Sequence, residues 1–237
     1  MHHYKGEKLK GKWAIVTGSS RGIGQQIALG LAAEGCNVIV HGRQLGNTVK
    51  TLDLLSKYNV ESIAVEGDLS KPDGALKVIE SVIEKVGDID ILYNNAAIST
   101  HSKPIWEFSI EEWKKLFQIN VYSLIELCNA FAPKMKARGF GRIINLSSGI
   151  KNQPDLAPYG VSKGTVDRFT IDLAYALKED NVLVNYLDPG WIRTDLGGPN
   201  GSHDVKTILP GALVPALLED HGPTGEFYKA QAYREEN

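Results

Sequence analysis

The sequence predicts an α/β fold, a doubly wound parallel sheet of about seven strands with helices on both faces. Three observations predict it. Apolar runs of strand length alternate with amphipathic stretches of helix length from one end of the chain to the other. The strand runs are unbroken rather than alternating, which means burial on both faces and therefore helices above and below the sheet. The first strand leads straight into a glycine-rich turn and a helix, and strict β-α alternation with right-handed crossovers then winds the sheet in two directions. No internal repeat, low-complexity segment or linker interrupts the pattern, so residues 1–237 read as one domain.

Trp13-Ala14-Ile15-Val16 is the first strand, and Ile23, Ile27, Ala28 and Leu31 then recur at helical spacing until Gly35 stops them. Val38-Ile39-Val40 is the second strand, with a helix around Leu52 and Leu55 behind it. Ile63-Ala64-Val65 is the third, followed by a helix that opens at Pro72 and carries Ala75, Ile79, Val82, Ile83 and Val86 on one face. Ile89 to Tyr93 is the fourth strand, although Asp90 interrupts it. Ser109-Ile110-Glu111-Glu112 has the form of a capping box and starts a long helix to about Arg138, with a kink expected at Pro133. Ile143-Ile144-Asn145-Leu146 is the fifth strand, Tyr159 to Leu177 a helix, and Val182 to Leu187 the sixth strand. A last helix near Val205 to Leu218 and a short Phe227-Tyr228 strand finish the chain.

Composition narrows the function classes. With 43% hydrophobic and 23% charged residues, the 237-residue chain has an ordinary globular balance and enough apolar surface for a core. Lys and Arg total 26 against 28 Asp and Glu, a net charge of −2 that argues against a nucleic-acid binder or a basic membrane-surface protein. No apolar run approaches the roughly 20 residues of a membrane span. Met1 to Lys12 is polar and lysine-rich, with no apolar core behind it, which argues against a secretory signal; His2 and His3 are either native or a vector remnant. Cys36 and Cys128 sit in apolar helical patterns without a partner at ligand spacing, so neither a disulfide nor a metal site is expected. A cytoplasmic protein is the expectation.

In such a sheet, ligands bind at the carboxyl ends of the strands, where the strand order reverses. Thr17-Gly18-Ser19-Ser20-Arg21-Gly22-Ile23-Gly24 follows the first strand directly. Glycines at 18, 22 and 24 permit a tight turn and close backbone approach to a phosphate, with the next helix presenting free N–H groups to the anion. The end of the second strand should meet an adenosine ribose, and an enzyme that prefers NAD usually places an acid there. This chain has His41-Gly42-Arg43 instead. Arg43 and Arg21 are suited to clamp a ribose 2′-phosphate by charge-assisted hydrogen bonds, which favours NADP(H) over NAD(H). His41 reads as structural.

Tyr159-Gly160-Val161-Ser162-Lys163 sets a tyrosine and a lysine at i and i+4, on one helix face near its start. A tyrosine, with a pKa of about 10, acts as a base near pH 7 only if that value falls by ~2–3 units, equivalent to ~3–4 kcal/mol of anion stabilisation. A lysine one turn away, the helix amino terminus and an oxidised nicotinamide are the expected sources.

Gly18 to Gly24, Asp68, Asn94-Asn95-Ala96, Asn120, Ser147-Ser148, Tyr159 with Lys163, and Pro189-Gly190 occur in the order and approximate spacing of one family. The sequence closely resembles a short-chain dehydrogenase/reductase, a carbonyl-reductase-like member, over about residues 9 to 230. The resemblance implies a Rossmann-type fold and an oxidoreductase that interconverts a carbonyl and an alcohol. It implies that Tyr159 is the acid/base, that Lys163 lowers the tyrosine pKa and holds the nicotinamide ribose, and that Asn120 anchors a water in the proton relay. A serine would hydrogen-bond the carbonyl oxygen; Ser148 matches the family position better than Ser147, and strand alternation sends the two to opposite sides. For the cofactor, the resemblance points to Gly18, Ser20, Arg21, Gly22, Ile23 and Gly24 in the turn, and to Arg43. Asp68 and Leu69 would meet the adenine, Asn94 and Ala96 line the cleft, and Pro189, Gly190, Ile192 and Thr194 hold the nicotinamide end. Asn94 is equally readable as a tie between strands. The partners implied are a small-molecule substrate and copies of the same chain, as a homodimer or homotetramer built on the helices at about 110–138 and 159–177.

Three departures from the family pattern stand out. Ala97 replaces a glycine after Asn94-Asn95-Ala96. The loop from Ser148 to Tyr159 is short. The substrate lid, about 191–204, is small and glycine-rich, with no helix expected and an open or mobile site bounded by Trp191 and Ile98. Ile98, Trp191 and Trp106 hint at a hydrophobic ketone or aldehyde, sugar or polyol oxidation being the alternative. A nucleotide-sensing protein that keeps the fold without the chemistry is the competing class, and survival of the Asn120, Ser148, Tyr159 and Lys163 set argues against it.

Overall fold

The computed structural model of the chain describes residues 7–233; His2 and His3 lie outside the described residues. Seven parallel strands form one sheet: β1 Trp13–Val16, β2 Asn37–Gly42, β3 Ser62–Glu66, β4 Ile91–Asn94, β5 Gly141–Leu146, β6 Val182–Asp188 and β7 Phe227–Lys229. Their order is β3-β2-β1-β4-β5-β6-β7, so the winding reverses between β1 and β4. The doubly wound sheet expected from the sequence is the fold.

Alternate residues of each strand feed two cores. Ala14, Val16, Val38, Val40, Ile91 and Tyr93 face α1 (Gly22–Ala33) and the 208–216 segment. Their neighbours Ile15, Ile39, Leu92 and Ile143 face α3 (Gly74–Lys85), α5 (Ser123–Arg138) and α6 (Ala157–Leu177). Burial on both faces explains why the strands read as unbroken apolar runs. Two further helices, α2 (Val49–Leu55) and α4 (Ile110–Phe117), complete the set.

Several boundaries differ from the sequence reading. The third helix starts at Gly74, not Pro72, because the chain first turns back through Lys71 N–H to Asp68 O (2.8 Å) and Gly74 N–H to Lys71 O (3.0 Å). The long helix from Ile110 to Arg138 is interrupted by a π-helical turn at Gln118–Tyr122, while Pro133 stays inside α5. Its start is the expected capping box: Ser109 accepts from Glu112 N–H (3.3 Å) and Glu112 from Ser109 N–H (2.8 Å). The helix expected near 205–218 is instead two short 3-10 segments, Val205–Ile208 and Gly211–Ala216, joined through a cis Leu209–Pro210 bond. Pro210 and Pro215 remove two N–H donors from that stretch, which an α-helix would need. At the opposite end of the sheet from the turn, the buried Arg142 of β5 bonds Leu218 O and Asp220 Oδ1 (both 3.0 Å) and fastens this carboxyl-terminal segment.

Candidate active site

The carboxyl ends of β1 and β4 meet at the reversal, and the glycine turn sits there. Gly18 and Gly22 adopt positive φ (64° and 62°), open to glycine at little strain. Gly24 is needed for space: a Cβ there would lie 2.5 Å from Asn95 Nδ2 and 2.6 Å from Gly18 O. Asn95 holds the turn from β4, donating from Nδ2 to Thr17 O (2.7 Å), while Thr17 Oγ1 accepts from the N–H groups of Asn95 and Ala96 (2.9 Å each). His41 holds it from β2. Gly18 N–H donates to His41 Nδ1 (2.9 Å), which leaves Nε2–H to donate to Gly67 O (3.0 Å), and burial pushes the His41 pKa down. His41, read from the chain as structural, and Asn95, which the chain offered only within its motif, thus both brace the turn. Neither has a signature of its own; both became legible only as partners of the turn.

The turn fits a dinucleotide phosphate. Arg21 at the amino terminus of α1 is extended and no side chain caps the helix, so its first N–H groups face outward, with no acid in the first turn. Ser20 and Ile23 are half-buried in the turn. Gly18 packs against Ala96, and Gly22 faces the Thr194 methyl, 3.5 Å from a built Cβ. Arg43 is exposed and helps to lower the Asp68 carboxyl, chiefly held down by its bond from Ser70 Oγ (2.7 Å). Arg21 Nε lies 2.7 Å from Asp195 Oδ2 on the surface. Three expected residues turn their side chains away from the cleft. Leu69 and Ile192 are buried in the two cores, and Asn94 Nδ2 donates to Asn145 Oδ1 (2.9 Å), which continues through Asn145 Nδ2 to Thr170 (2.8 Å). The Asn94 side chain is therefore a strand tie. Pro189 O accepts from Gln231 (2.9 Å), and Gly190, at φ 84°, donates to Asp188 Oδ1 (2.8 Å).

Beside the turn, the ends of β5 and β6 and the start of α6 bring Ser148, Tyr159 and Lys163 together. The Ser148 side chain is near enough to the Tyr159 hydroxyl to favour its ionised form, and Lys163 Nζ lies 5.7 Å from the Tyr159 ring centre. Ser147 points the other way and donates to Asp167 Oδ1. Lys163 Nζ donates to Leu146 O (2.6 Å), and burial pushes its pKa down to about 8 against the opposing pull of Asp167. The lowered Tyr159 pKa expected from the sequence is not what the protein chain alone produces. Burial raises it, the Ser148 side chain works downward, and the Asp188 charge adds to the rise.

Asn120 sits in the π turn, a distortion that often marks functional positions. Its amide accepts from Ile98 N–H and donates to Ile98 O (2.9 Å each), and also reaches Ser162 Oγ (3.2 Å), which donates to Tyr159 O (2.7 Å). It joins the loop after β4, the π turn and α6 around Tyr159. The loop before α6 is tied to the same wall by Ser102 Oγ to Asp155 (2.6 Å) and Lys103 N–H to Asp155 O (3.2 Å). Residues 191–204 contain no helix; Arg193 N–H to His203 O (2.9 Å), His203 N–H to Trp191 O (3.1 Å) and Trp191 Nε1 to Gly197 O (2.8 Å) staple them.

Among the described residues there is no cluster of groups able to hold a metal, and no helix long and apolar enough to cross a membrane. Cys36 and Cys128 are buried free thiols.

A family model described as short chain dehydrogenase matches residues 12–204. An uncharacterized oxidoreductase, YvrD, of Bacillus subtilis is 39% identical over 211 residues, 88% of this chain and 76% of its own. The 3-oxoacyl-[acyl-carrier-protein] reductase FabG of Aquifex aeolicus is 36% identical over 80% of this chain and 77% of its own. The crystal structure of a 3-oxoacyl (acyl-carrier-protein) reductase from Agrobacterium tumefaciens C58 with NADP bound is similar at a TM-score of 0.85 and 26% identity, covering 97% of this chain and 96% of that one. With the strand order, the glycine turn and the Ser148–Tyr159–Lys163 cluster already in place, these likenesses establish that the chain belongs to the short-chain dehydrogenase family, nucleotide-dependent oxidoreductases acting on CH–OH and C=O groups.

Proposed function

We propose that this protein is an NADP(H)-dependent reductase that converts a ketone or aldehyde to an alcohol, with Tyr159 delivering the proton. The observation that carries the reading is the convergence of Ser148, Tyr159 and Lys163 on one side of the sheet's carboxyl edge. A nicotinamide held in the cleft would supply the hydride. Ser148 donates a hydrogen bond to the carbonyl oxygen as negative charge develops there. Tyr159, kept protonated by its burial, gives up its proton to that oxygen, and the Lys163 ammonium steadies the tyrosinate that remains. Asn120 fixes Ile98 and, through Ser162, the start of α6, so that the tyrosine keeps its place.

Gly18, Ser20, Arg21, Gly22, Ile23 and Gly24 would hold the pyrophosphate, with Ala96, Gly190 and Thr194 along the cleft. The preference for NADP(H) rests on Arg43, on the absence of an acid at 41–43, and on Arg21. The Arg21–Asp195 pair is exposed and worth at most about 1 kcal/mol, so a 2′-phosphate displaces it readily. Cofactor and catalytic groups belong to a single domain, with 191–204 as its short lid, and the location is cytoplasmic. The working unit is a homodimer or homotetramer, supported by a shallow groove between α5 and α6 lined by Ile125, Val161, Arg168 and Phe169.

The test is consumption of NADPH and NADH with a panel of ketones, aldehydes and keto-sugars, with Tyr159→Phe as the control. Turnover favouring NADPH that falls by three orders of magnitude or more in Tyr159→Phe is expected, since proton transfer at that atom has no substitute. Equal turnover by the variant sinks the mechanism, and equal affinity for NADH sinks the cofactor preference.

A further inference from the structure

Beside the Ser148–Tyr159 wall stands a carboxylate that the mechanism above does not use. Asp188 is the last residue of β6, half-buried, immediately before the Pro189-Gly190 turn. One oxygen, Oδ1, is held by Gly190 N–H (2.8 Å). The other, Oδ2, has no hydrogen-bond donor among the described residues. It points over the backbone of Gly149, where a built Cβ would lie 2.7 Å from it, and Gly149 follows Ser148 directly. The charge is close enough to act on Tyr159 and on Asp167. A carboxylate oxygen without a donor, beside the residue that follows Ser148, keeps its acceptor capacity for a ligand group that reaches this wall.

We propose that Asp188 is a specificity-determining residue that accepts a hydrogen bond from a hydroxyl on the carbon beside the reacting carbonyl, making hydroxylated ketones the substrate class. The inference rests on the reductase reading and deepens it. It replaces the hydrophobic ketone suggested by Ile98 and Trp191, because an apolar group against Oδ2 leaves a carboxylate desolvated and unpaired. A hydroxyl is preferred to an ammonium as the donor. Any ligand at the Tyr159 hydroxyl lies near the Lys163 ammonium, 5.7 Å from that ring, and a second cation would be repelled. Gly149 belongs to the same device, since any larger residue there would occupy the space into which Oδ2 points.

The experiment compares 2-hydroxycyclohexanone with cyclohexanone and 2-aminocyclohexanone, using NADPH and NADH, in the wild type, Asp188→Asn and Asp188→Ala. Asp188→Asn retains an acceptor for Gly190 N–H and keeps the turn built should Asp188→Ala misfold. In the wild type, kcat/KM for the hydroxy ketone should exceed that for cyclohexanone by about 10- to 100-fold, the range for a hydrogen bond to a charged group. In both variants the ratio should collapse toward unity, mainly through KM for the hydroxy ketone, while the dissociation constant for NADPH, read by fluorescence, changes less than threefold. A wild-type ratio near one, or a ratio that survives both substitutions, overturns the inference and leaves the reductase standing. A preference for the amino ketone overturns the choice of hydroxyl. Loss of NADPH binding in Asp188→Asn assigns the carboxylate to the cofactor and also overturns it. If the wild type reduces none of the three ketones nor any member of the wider panel, the reductase reading itself falls, and this inference with it.

Discussion

Burying the Lys163 ammonium beneath Leu146 O takes a cation out of water, and a single backbone carbonyl and the distant Asp167 carboxylate recover only part of its hydration. The lysine pKa falls from 10.5 to about 8, a difference worth about 3 kcal/mol of stability spent on keeping the charge in place. The sign follows from proton counting. Between pH 8 and 10.5 the unfolded chain holds a proton that the folded one has released, so this group makes stability rise with pH across that window. Below pH 8 both states hold it and the destabilisation is complete. Lys163→Met is therefore expected to raise the thermal midpoint at pH 7 by roughly 5 °C, after about 1 kcal/mol is deducted for the lost bond to Leu146 O. The gain should shrink toward zero near pH 10, and turnover should be lost. Calorimetry at the two pH values checks it; a midpoint that drops at pH 7 would show that the ammonium is a net support of the fold. The tyrosine presents the same physics from the other side. Tyr159-x-x-x-Lys163 was legible as a pair, while Ser148 was preferred to Ser147 through the family resemblance, strand alternation saying only that the two face opposite sides. The direction of the Tyr159 pKa was not legible, because burial and Asp188, which outweigh Ser148, come from strands remote in sequence.

At the scale of elements, the strand ends and the first turn of α1 are built against one another. Gly24 is in a helix, where alanine is ordinarily favoured by about 1 kcal/mol. Here the methyl would meet Asn95 Nδ2 at 2.5 Å and Gly18 O at 2.6 Å, and the second contact is backbone that cannot swing aside. Gly24→Ala is expected to destabilise by ~1–3 kcal/mol, as overpacking does, and to weaken NADPH binding by tenfold or more through displacement of the turn. A urea midpoint and a fluorescence titration read the two effects. A variant that is more stable and binds normally would mean that helix propensity outweighs the clash. What could be read of the elements from sequence followed the strength of their periodicity. Unbroken runs such as Ile143-Ile144 gave strands whose burial the sheet confirms, and Ser109 to Glu112 announced a helix start that is present atom for atom. The 205–218 stretch failed for a physical reason: its Val, Leu and Ala spacing imitates a helix, while Pro210 and Pro215 withhold the donors that a helix requires. The π turn at Asn120 has no periodic signature, since one inserted residue shifts the helix face without changing its composition.

At the scale of the whole molecule, the face of α6 that α5 leaves uncovered has a chemistry that asks for a partner. Val161, Gly164, Thr165, Arg168, Ile171, Asp172 and Tyr175 recur at three- and four-residue spacing and so share one side of the helix. Val161 is 50%, Ile171 42% and Tyr175 75% exposed. Nothing in the catalytic chemistry needs them. Apolar groups lined up on one helix, with the Arg168–Asp172 pair among them at 2.9 Å, fit a patch covered by another molecule better than a water-facing surface. A second copy related by a two-fold axis satisfies the patch with itself, because each side chain near the axis then meets its own counterpart. The α5 and α6 faces together can supply the roughly 1,200–2,000 Å² that a stable interface buries. Ile171→Glu with Tyr175→Glu places four like charges across such an interface, about three turns or more along α6 from Tyr159. Sedimentation equilibrium should give a dimer or tetramer for the wild type and one-chain mass for the double variant. The unfolding midpoint should depend on protein concentration only in the wild type, since association stabilises by mass action. A wild type that sediments as a single chain, or a double variant that keeps the wild-type mass, would remove this face as the interface and leave the exposed Tyr175 without an account.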